Sequence, residues 1–333
     1  MAKKQVIIAI GIDVSKETLA VCERYENEKR FYDLQNDGKE IEKWAKKLKR
    51  TGYQGKIVME STGRHHLPLA VALKNKGLDV RVINPLLSKK YASSSVHKVK
   101  TDRRDSEMLS QVALCEERLP ETFHSEKREI LLKKKISLVA MMDKELQKMK
   151  ASVKEFNATA QELGFELTVC DQEIMEAIKA LEKKKEGLEK EIELIMEEDR
   201  NEEVERYSTI PGVSLYGATV FTLFFSSEYN LSPKQWISFS GLDVTIRESG
   251  KWKGKGKLTK RGNCYLRKRL YQAAWGAIMH DDSFKSYYNL LRKEGKKYVE
   301  ALTVIARKLV TIMFNLNLGK QTFDPSKLSF RTE

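Results

Sequence analysis

Val6-Ile7-Ile8-Ala9-Ile10-Gly11-Ile12-Asp13 is an almost unbroken apolar run that ends on a carboxylate. It lacks the alternation of a half-exposed strand. It is therefore expected to be a central strand, covered on both faces. A second run, Lys56-Ile57-Val58-Met59, ends the same way, on Glu60. Later, Lys100-Thr101-Asp102-Arg103-Arg104-Asp105 opens a helical stretch. Its two carboxylates are three residues apart, so they share a helix face, and they sit in the first turn where the dipole favours negative charge.

Around these landmarks, residues 1–120 alternate strand and helix signals. Thr18–Glu23 and Lys29–Leu34 read as strands joined by the charged turn Glu26-Asn27-Glu28. Gly38–Arg50 has helical spacing through Ile41, Trp44, Ala45 and Leu48. Strand Lys56–Glu60, helix Arg64–Asn75 and strand Asp79–Ile83 follow, the last stopped by Asn84-Pro85. Three strands, helix, strand, helix, strand, helix is a hairpin meander followed by parallel strands reached through helical crossovers. That is the order of an RNase H-like α/β fold.

In such a sheet, ligands gather beyond the carboxyl ends of the parallel strands. Asp13 and Glu60 would lie there, on strands about 4.8 Å apart. Taken singly, each acid has a plainer reading. Asp13 could be a turn residue, Glu60 a helix start, Asp102 an N-cap and Asp105 a first-turn charge. Their joint occurrence in this order points instead to a shared site. Glu107, further round the helix, reads as solvated. Carboxylates forced together repel unless a cation neutralises them. Oxygen-only ligands suit Mg²⁺ or Mn²⁺, and two such ions can serve both oxygens of a phosphoryl transfer.

Composition narrows the partner. Lys and Arg number 61 against 47 Asp and Glu, a net charge of +14 over 333 residues. That surplus favours a polyanion. The length gives room for about two domains. Cys22, Cys115, Cys170 and Cys264 form no CxxC pair and read as reduced, mostly buried thiols. Met1-Ala2-Lys3-Lys4-Gln5 has no signal-peptide pattern, and the longest apolar stretch, 217–225, is too short for a membrane span. A cytoplasmic protein without membrane contact is expected.

Leu132, Val139, Leu146, Val153 and Ala160 fall seven apart, as do Met142, Met149, Phe156 and Leu163. This is a sustained heptad. After a break at Gly164–Cys170 the spacing resumes with Ile174, Ile178, Leu181, Leu188, Ile192 and Ile195, interrupted by Lys185. An internal antiparallel hairpin and a coiled coil with another subunit fit equally well. Ile210-Pro211-Gly212-Val213 before the apolar helix Leu215–Phe225 could present backbone N–H groups to a phosphate, as a helix-hairpin-helix does, or could be a plain turn. The stretch from Gly319 to Glu333 reads as a poorly ordered tail.

Two segments carry the basic charge. Lys89, Lys90, Lys98, Lys100, Arg103 and Arg104 lead into and flank Asp102, with Tyr91 and Ser93-Ser94-Ser95 among them. They suggest a mobile loop gripping a nucleic-acid backbone. From Arg247 to Arg269 there are ten Lys or Arg and one acid, Glu248. Trp252 and Tyr265 offer faces for base stacking. Candidate contacts here are Arg247, Lys251, Lys253, Lys255, Lys257, Lys260, Arg261 and Arg267. Ser249 stands at the head of this segment. Its hydroxyl is a poor nucleophile unless a base or a metal helps, and Arg247 and Lys251 could hold a phosphate beside it.

The four acids, the heptad region, Ile210-Pro211-Gly212-Val213, Phe239-Ser240-Gly241-Leu242, Glu248-Ser249-Gly250 and Leu258-Thr259-Lys260-Arg261-Gly262-Asn263-x-x-Leu266-Arg267 occur in one order over nearly the whole chain. Together they resemble the DEDD-type insertion-sequence transposases with a catalytic serine, the bridge-RNA-guided recombinases related to the Piv-type invertases. The resemblance implies a RuvC-like domain over 1–122, a coiled-coil linker over 123–204, a mainly α C-terminal transposase domain over 205–320, and a tail over 321–333. It implies that Asp13, Glu60, Asp102 and Asp105 bind the metal, and that Ser249 attacks a DNA phosphate and holds a phosphoserine link. A serine and a carboxylate set from different subunits would make a composite site in a tetramer built from dimers. A structured guide RNA would pair with donor and target DNA. The setting implied is the nucleoid of a bacterial or archaeal cell. The family usually has a proline shortly after Gly-Leu, where this chain has Asp243-Val244-Thr245. The alternative is a metal-dependent, structure-selective nuclease in which water attacks and Ser249 is structural.

Overall fold

The computed structural model describes residues 6–61, 63–93, 101–116, 119–120, 122–123, 126–225, 231–245, 248–249, 252–253 and 256–328. The chain divides into two compact units, Met1–Lys127 and Arg128–Glu333.

The first unit runs β1 (Ala9–Val14), β2 (Thr18–Arg24), β3 (Lys29–Gln35), α1 (Gly38–Arg50), β4 (Lys56–Glu60), α2 (Leu67–Asn75), β5 (Asp79–Ile83), α3 (Pro85–Ser93) and α4 (Asp102–Cys115). The sheet order is β3-β2-β1-β4-β5. β1–β2 and β2–β3 pair antiparallel, while β1–β4 and β4–β5 pair parallel. This is the meander-then-crossover order expected from the sequence. β1 is central and doubly covered. Ile10, Ile12 and Val14 face the core under α1 and α2, with Trp44, Leu48 and Leu69. Ala9 points to the opposite face, packed with Val58, Leu109 and Val112. The strand starts at Ala9 because the residues before it climb out of the core, Val6 being 70% exposed.

Sequence and structure part company after β5. The basic stretch expected as a loop is a helix, α3, as far as Ser93. Pro85 at its start fixes φ for the first turn. Lys98 and Lys100 lie outside the described residues. Leu87 and Tyr91, one turn apart, pack it against the sheet, a pairing too short to stand out in a lysine- and serine-bearing stretch.

The second unit holds α5 (Lys127–Glu162), α6 (Val169–Ser208), α7 (Leu215–Phe224) and α8 (Pro233–Phe239). Four short strands follow: β6 (Val244–Thr245), β7 (Glu248–Ser249), β8 (Trp252–Lys253) and β9 (Lys257–Leu258). The unit closes with α9 (Cys264–His280), α10 (Asp282–Lys293) and α11 (Tyr298–Gly319).

α5 and α6 form an internal antiparallel hairpin. Arg128 pairs with Asp199 at 2.8 Å, Lys135 with Glu191, Lys150 with Glu182, and Asn157 meets Met175 near the tip. Leu132, Val139, Leu146 and Ala160 are buried, while Met149, Phe156 and Leu163 of the interleaved stripe are exposed. At its base the hairpin shares one core with the C-terminal helices, through Leu132, Ile136, Val139 and Ile192. It therefore belongs to the second unit instead of standing apart as a linker. Lys185, the apparent flaw in the stripe, joins a half-buried ion network. It reaches Asp143 at 3.7 Å and Glu189 at 3.5 Å, and Lys268 and Arg269 of α9 reach the same two acids. Burial alone would raise the Asp143 carboxyl. The hydrogen bond and charge of Lys268, with Lys185 and Arg269, take it below its ordinary value instead.

One open reading is decided and two further expectations are corrected. Gly212 sits against the backbone of Gly276 in α9, where an added Cβ would lie 2.1 Å from the Gly276 carbonyl carbon. The Pro-Gly turn is thus a helix-packing contact and does not hold its glycine out toward a phosphate. The tail is packed as far as Leu328: the Phe323 N–H donates to Thr209 Oγ1 at 2.9 Å, and its ring stacks on Phe284. Finally, Cys22 is buried, but Cys115 and Cys264 are exposed. Among the described residues, no helix is long and apolar enough to cross a membrane.

Candidate functional site

Four carboxylates are arranged at one end of the first unit's sheet. Asp13 and Glu60 occupy the carboxyl ends of the parallel neighbours β1 and β4. Asp102 and Asp105 occupy the first turn of α4, capped by Thr101, whose hydroxyl accepts from the Arg104 N–H. The cap is therefore Thr101, and Asp102 does not serve as one.

A close approach of helix to strand sets this geometry. α4 crosses β1 at Gly11, where an added Cβ would lie 2.1 Å from both the Ser106 carbonyl oxygen and the Ser110 nitrogen. Ser106 and Ser110 are fully buried in this contact. With small residues on both sides, the start of α4 is drawn toward the end of β1. Arg24 strengthens the join by donating to Ser110 Oγ at 3.2 Å and to the Glu107 carbonyl at 3.4 Å. Arg103, expected at a nucleic-acid backbone, stacks on the Phe31 ring of β3 at 4.2 Å. Glu107 points away from the other acids and pairs with Lys29 at 2.5 Å.

The electrostatic consequence appears at Asp13. Burial raises its carboxyl from 3.8 to about 6, helped by the charges of Asp105, Asp102 and Glu60, with a partial offset from the Val14 N–H. Each of the other three acids is therefore close enough to be felt at β1. Glu60 accepts a 2.6 Å hydrogen bond from Ser88, a buried hydroxyl on α3. The donor chemistry, all hard oxygens with mutual repulsion, fits a divalent cation of the Mg²⁺ type. Among the described residues, no three His, Cys, Asp or Glu side chains already close on one point as a finished cage would.

Ser249 is placed separately, in the second unit. Its β7 backbone pairs with Trp252 of β8. Below this tip, Val244 pairs with Leu258 and Thr245 with Lys257. The foot of the arm is fixed. Gly241 and Gly262 touch, and a Cβ on Gly262 would lie 2.2 Å from the Gly241 nitrogen. Arg267, expected at a phosphate, lays its guanidinium across the Ser240 and Gly262 carbonyls at 3.2 and 3.3 Å. Asp243 stands near where the proline would be and accepts from the Thr259 hydroxyl, while its carbonyl accepts from the Thr259 N–H at 3.0 Å. Lys89, Arg104, Lys257, Lys260 and Arg261 are exposed. Lys90 lies within α3 and Lys253 within β8. Arg247, Lys251 and Lys255 fall outside the described residues. Tyr265 is partly packed on the core, so it offers less stacking surface than expected.

Two family models match this chain. One, for DEDD transposases of IS110 and described as a transposase, covers residues 10–158, which include all four carboxylates. The other, described as transposase of the IS116/IS110/IS902 family, covers 204–289, which include Ser249. Over these two segments the chain is similar to transposases of the IS110 type. Among similar proteins, the insertion element IS110 43.6 kDa protein of Streptomyces coelicolor is 25% identical over 36% of this chain and 30% of its own length. The insertion element IS116 44.8 kDa protein of Streptomyces clavuligerus is 28% identical over 47% and 39%. The insertion element IS900 42 kDa protein of Mycobacterium paratuberculosis is 28% identical over 26% and 22%. The matches thus span well under half of each relative. A solved structure, "T. thermophilus RuvC in complex with Holliday junction substrate", aligns over 32% of this chain and 90% of its own, at 12% identity and a TM-score of 0.25. At that level neither fold nor function follows from the likeness.

Sequence reasoning missed three positioning residues. Gly11 could have been noticed, because an isolated glycine in a strand often marks a close backbone approach. Ser88 carries no signal. Asn36 ties together the loops that follow the two carboxylate-bearing strands: its amide donates to the Ser15 carbonyl at 2.8 Å and to the His65 carbonyl at 3.2 Å.

Proposed function

We propose that this transposase cuts and rejoins DNA from an RNase H-like first unit and a serine-bearing second unit. Asp13, Glu60, Asp102 and Asp105 hold Mg²⁺ or Mn²⁺, and Ser249 is the nucleophile. The observation that carries the reading is the Asp13 carboxyl, lifted to about 6 by burial together with three acids from β4 and α4. A protein gains nothing in stability by crowding charges this way, so the arrangement implies a cationic ligand.

A bound divalent ion would stabilise charge on the phosphate oxygens during transfer. The remaining steps belong to the chain. Ser249 Oγ attacks phosphorus, its O–H proton is released, and a bridging P–O bond of the strand breaks as the new O–P bond forms. The departing sugar oxygen takes up a proton. Because one ester replaces another, the bond energy is kept and a free hydroxyl end can reverse the exchange. Exposed Lys257, Lys260 and Arg261 at the foot of the arm neutralise backbone phosphates. Donor and target DNA, a structured guide RNA and a homo-oligomer built from dimers complete the proposal; they rest on the sequence resemblance.

The test is trapping. Wild-type protein with Mg²⁺ and an end-labelled DNA substrate should yield a denaturant-resistant adduct mapping to Ser249, and Ser249→Ala should yield none. An adduct that persists in Ser249→Ala removes the serine. Nicks without any adduct in the wild type turn the protein into a hydrolytic nuclease.

A further inference from the structure

Residues 264, 267, 268, 271, 272 and 275 are spaced by three, four, seven, eight and eleven along α9, so they share one face. Tyr271 on this face packs against the core and hydrogen-bonds Thr303, and the rest of the face is left open. It forms one wall of an open groove of about 490 Å³, with Tyr298 and Leu302 of α11 opposite. Trp275 is 42% and Tyr298 45% exposed. Their rings meet edge to face, centroids 5.8 Å apart at 62°, which leaves the rings' faces uncovered by each other. Tyr288 meets Tyr298 in the same manner at 6.5 Å. Scattered exposed apolar side chains are ordinary. An aromatic corner at the end of an open, mainly apolar groove that leads to exposed lysine and arginine is not.

At its other end the groove runs into the foot of the serine arm. Arg267 and Lys268 line it there, and exposed Lys260 and Arg261 lie just upstream. Arg267 is held in place by two carbonyl oxygens, neither of which cancels its charge. Lys268 is ion-paired with Asp143, which offsets its charge, so the exposed positive charge at this end comes from Lys260 and Arg261. Gln272, midway, offers an amide that can both donate and accept. No carboxylate lines the groove among the described residues. From Cys264 to Trp275 the face is about 16 Å long at 1.5 Å per residue, which is room for a few stacked nucleotides. Exposed Lys260 and Arg261 beyond one end, an amide in the middle and open aromatic faces at the other end match a polyanion with flat apolar rings.

We propose that this groove binds the unpaired bases of single-stranded DNA, with Trp275 and Tyr298 as the stacking platform. The inference rests on the reading that the protein acts on DNA, and it adds that one surface recognises unpaired strand. Duplex DNA hides its base faces and would gain nothing from Trp275. Base–aromatic stacking of 1–3 kcal/mol per base corresponds to roughly five- to over a hundredfold in affinity.

The experiment uses the full chain in EDTA, so that no cleavage occurs. A labelled oligo-dT strand and a blunt duplex of equal length are titrated at fixed salt, alongside the matching oligo-U. Trp275→Ala and Tyr298→Ala should each weaken oligo-dT binding at least fivefold and leave the duplex unchanged. Trp275→Phe should keep the affinity but lose part of the tryptophan quenching seen on binding. The proposal is overturned by equal losses on strand and duplex, by no loss on either, or by a loss confined to oligo-U. It is also overturned if the variants change the oligomeric state measured by light scattering, because a second copy then occupies the groove. If wild type binds neither strand nor duplex, the DNA reading falls as well. If it binds duplex normally while the groove variants behave as wild type, only the groove fails.

Discussion

The substitution Asp13→Asn should stabilise the metal-free protein while removing its function. The Asp13 carboxyl rises from 3.8 to about 6, first through burial and then through Asp105, Asp102 and Glu60. A rise of about two units is worth at most roughly 3 kcal/mol. Asp13 is only partly buried, and solvent screening reduces that to about 1–2 kcal/mol. The sign follows from proton linkage. Between about pH 4 and pH 6 the folded state binds more protons than the unfolded chain, so stability falls as pH rises through that window. The penalty is complete above about 6 and absent below about 4. The amide of the variant carries no such charge. In EDTA at pH 7.5 the variant's first unit should therefore melt a few degrees higher than wild type. At pH 4 the two should coincide. Addition of Mg²⁺ should reverse the order, because a ligand bound only to the folded state stabilises by mass action and the variant has lost a ligand. The assay is thermal unfolding followed by circular dichroism, with and without Mg²⁺, across that pH range. A variant less stable than wild type in EDTA at pH 7.5 would refute the reasoning. So would equal stabilisation of both proteins by Mg²⁺.

Other outcomes follow from the packing. Gly11→Ala places a methyl against the α4 backbone and should cost about 1–3 kcal/mol; urea unfolding reads it, and Gly38→Ala, where an added Cβ meets nothing within 4 Å, controls for glycine replacement. Asn36→Ala removes two hydrogen bonds and should cost about 1–2 kcal/mol, with a weaker apparent Mg²⁺ affinity in the unfolding titration; an unchanged Mg²⁺ response would show that the clamp does not position the acids. Lys185→Met should cost only about 1 kcal/mol, because Asp143 keeps Lys268 and Glu189 keeps Arg269, whereas an orphaned charge costs about 3–5; chemical denaturation distinguishes the two. Arg267→Ala should loosen the Ser240–Gly262 turn and speed hydrogen exchange at Gly241 and Gly262, and unchanged exchange would remove it as the pin of the arm.

Much of the first unit was legible because its strands are apolar runs ended by charge. β4 and β5 match their expected limits, and Asp13 and Glu60 stand where strand-end carboxylates should. Elsewhere the signal was missing for physical reasons. α3 packs through Leu87 and Tyr91 alone among its described apolar side chains, with two lysines between them, so its helical pattern is too short to read. The kink at Arg200, with φ −143 and ψ 43, leaves no trace in composition. Lys185 looked like an error in a heptad because Asp143 on α5, and the α9 cations that share its two acids, lie far off in sequence. Arg267 looked like a phosphate contact because a guanidinium committed to carbonyls reads the same in sequence as one facing solvent. The four acids could be named from order alone; their nearness depends on Gly11 and Ser106, whose meaning appears only when helix and strand touch.

The twenty residues between Gly241 and Gly262 have their two ends in contact, fastened before the serine is reached. The entropy of bringing those ends together is settled at the base, and lengthening a closed segment is cheap, about 0.6 kcal/mol for each doubling. This arm can therefore be stretched or trimmed at its tip with little strain on the helices beneath it. An engineer seeking a different reach should insert residues there and leave both glycines untouched.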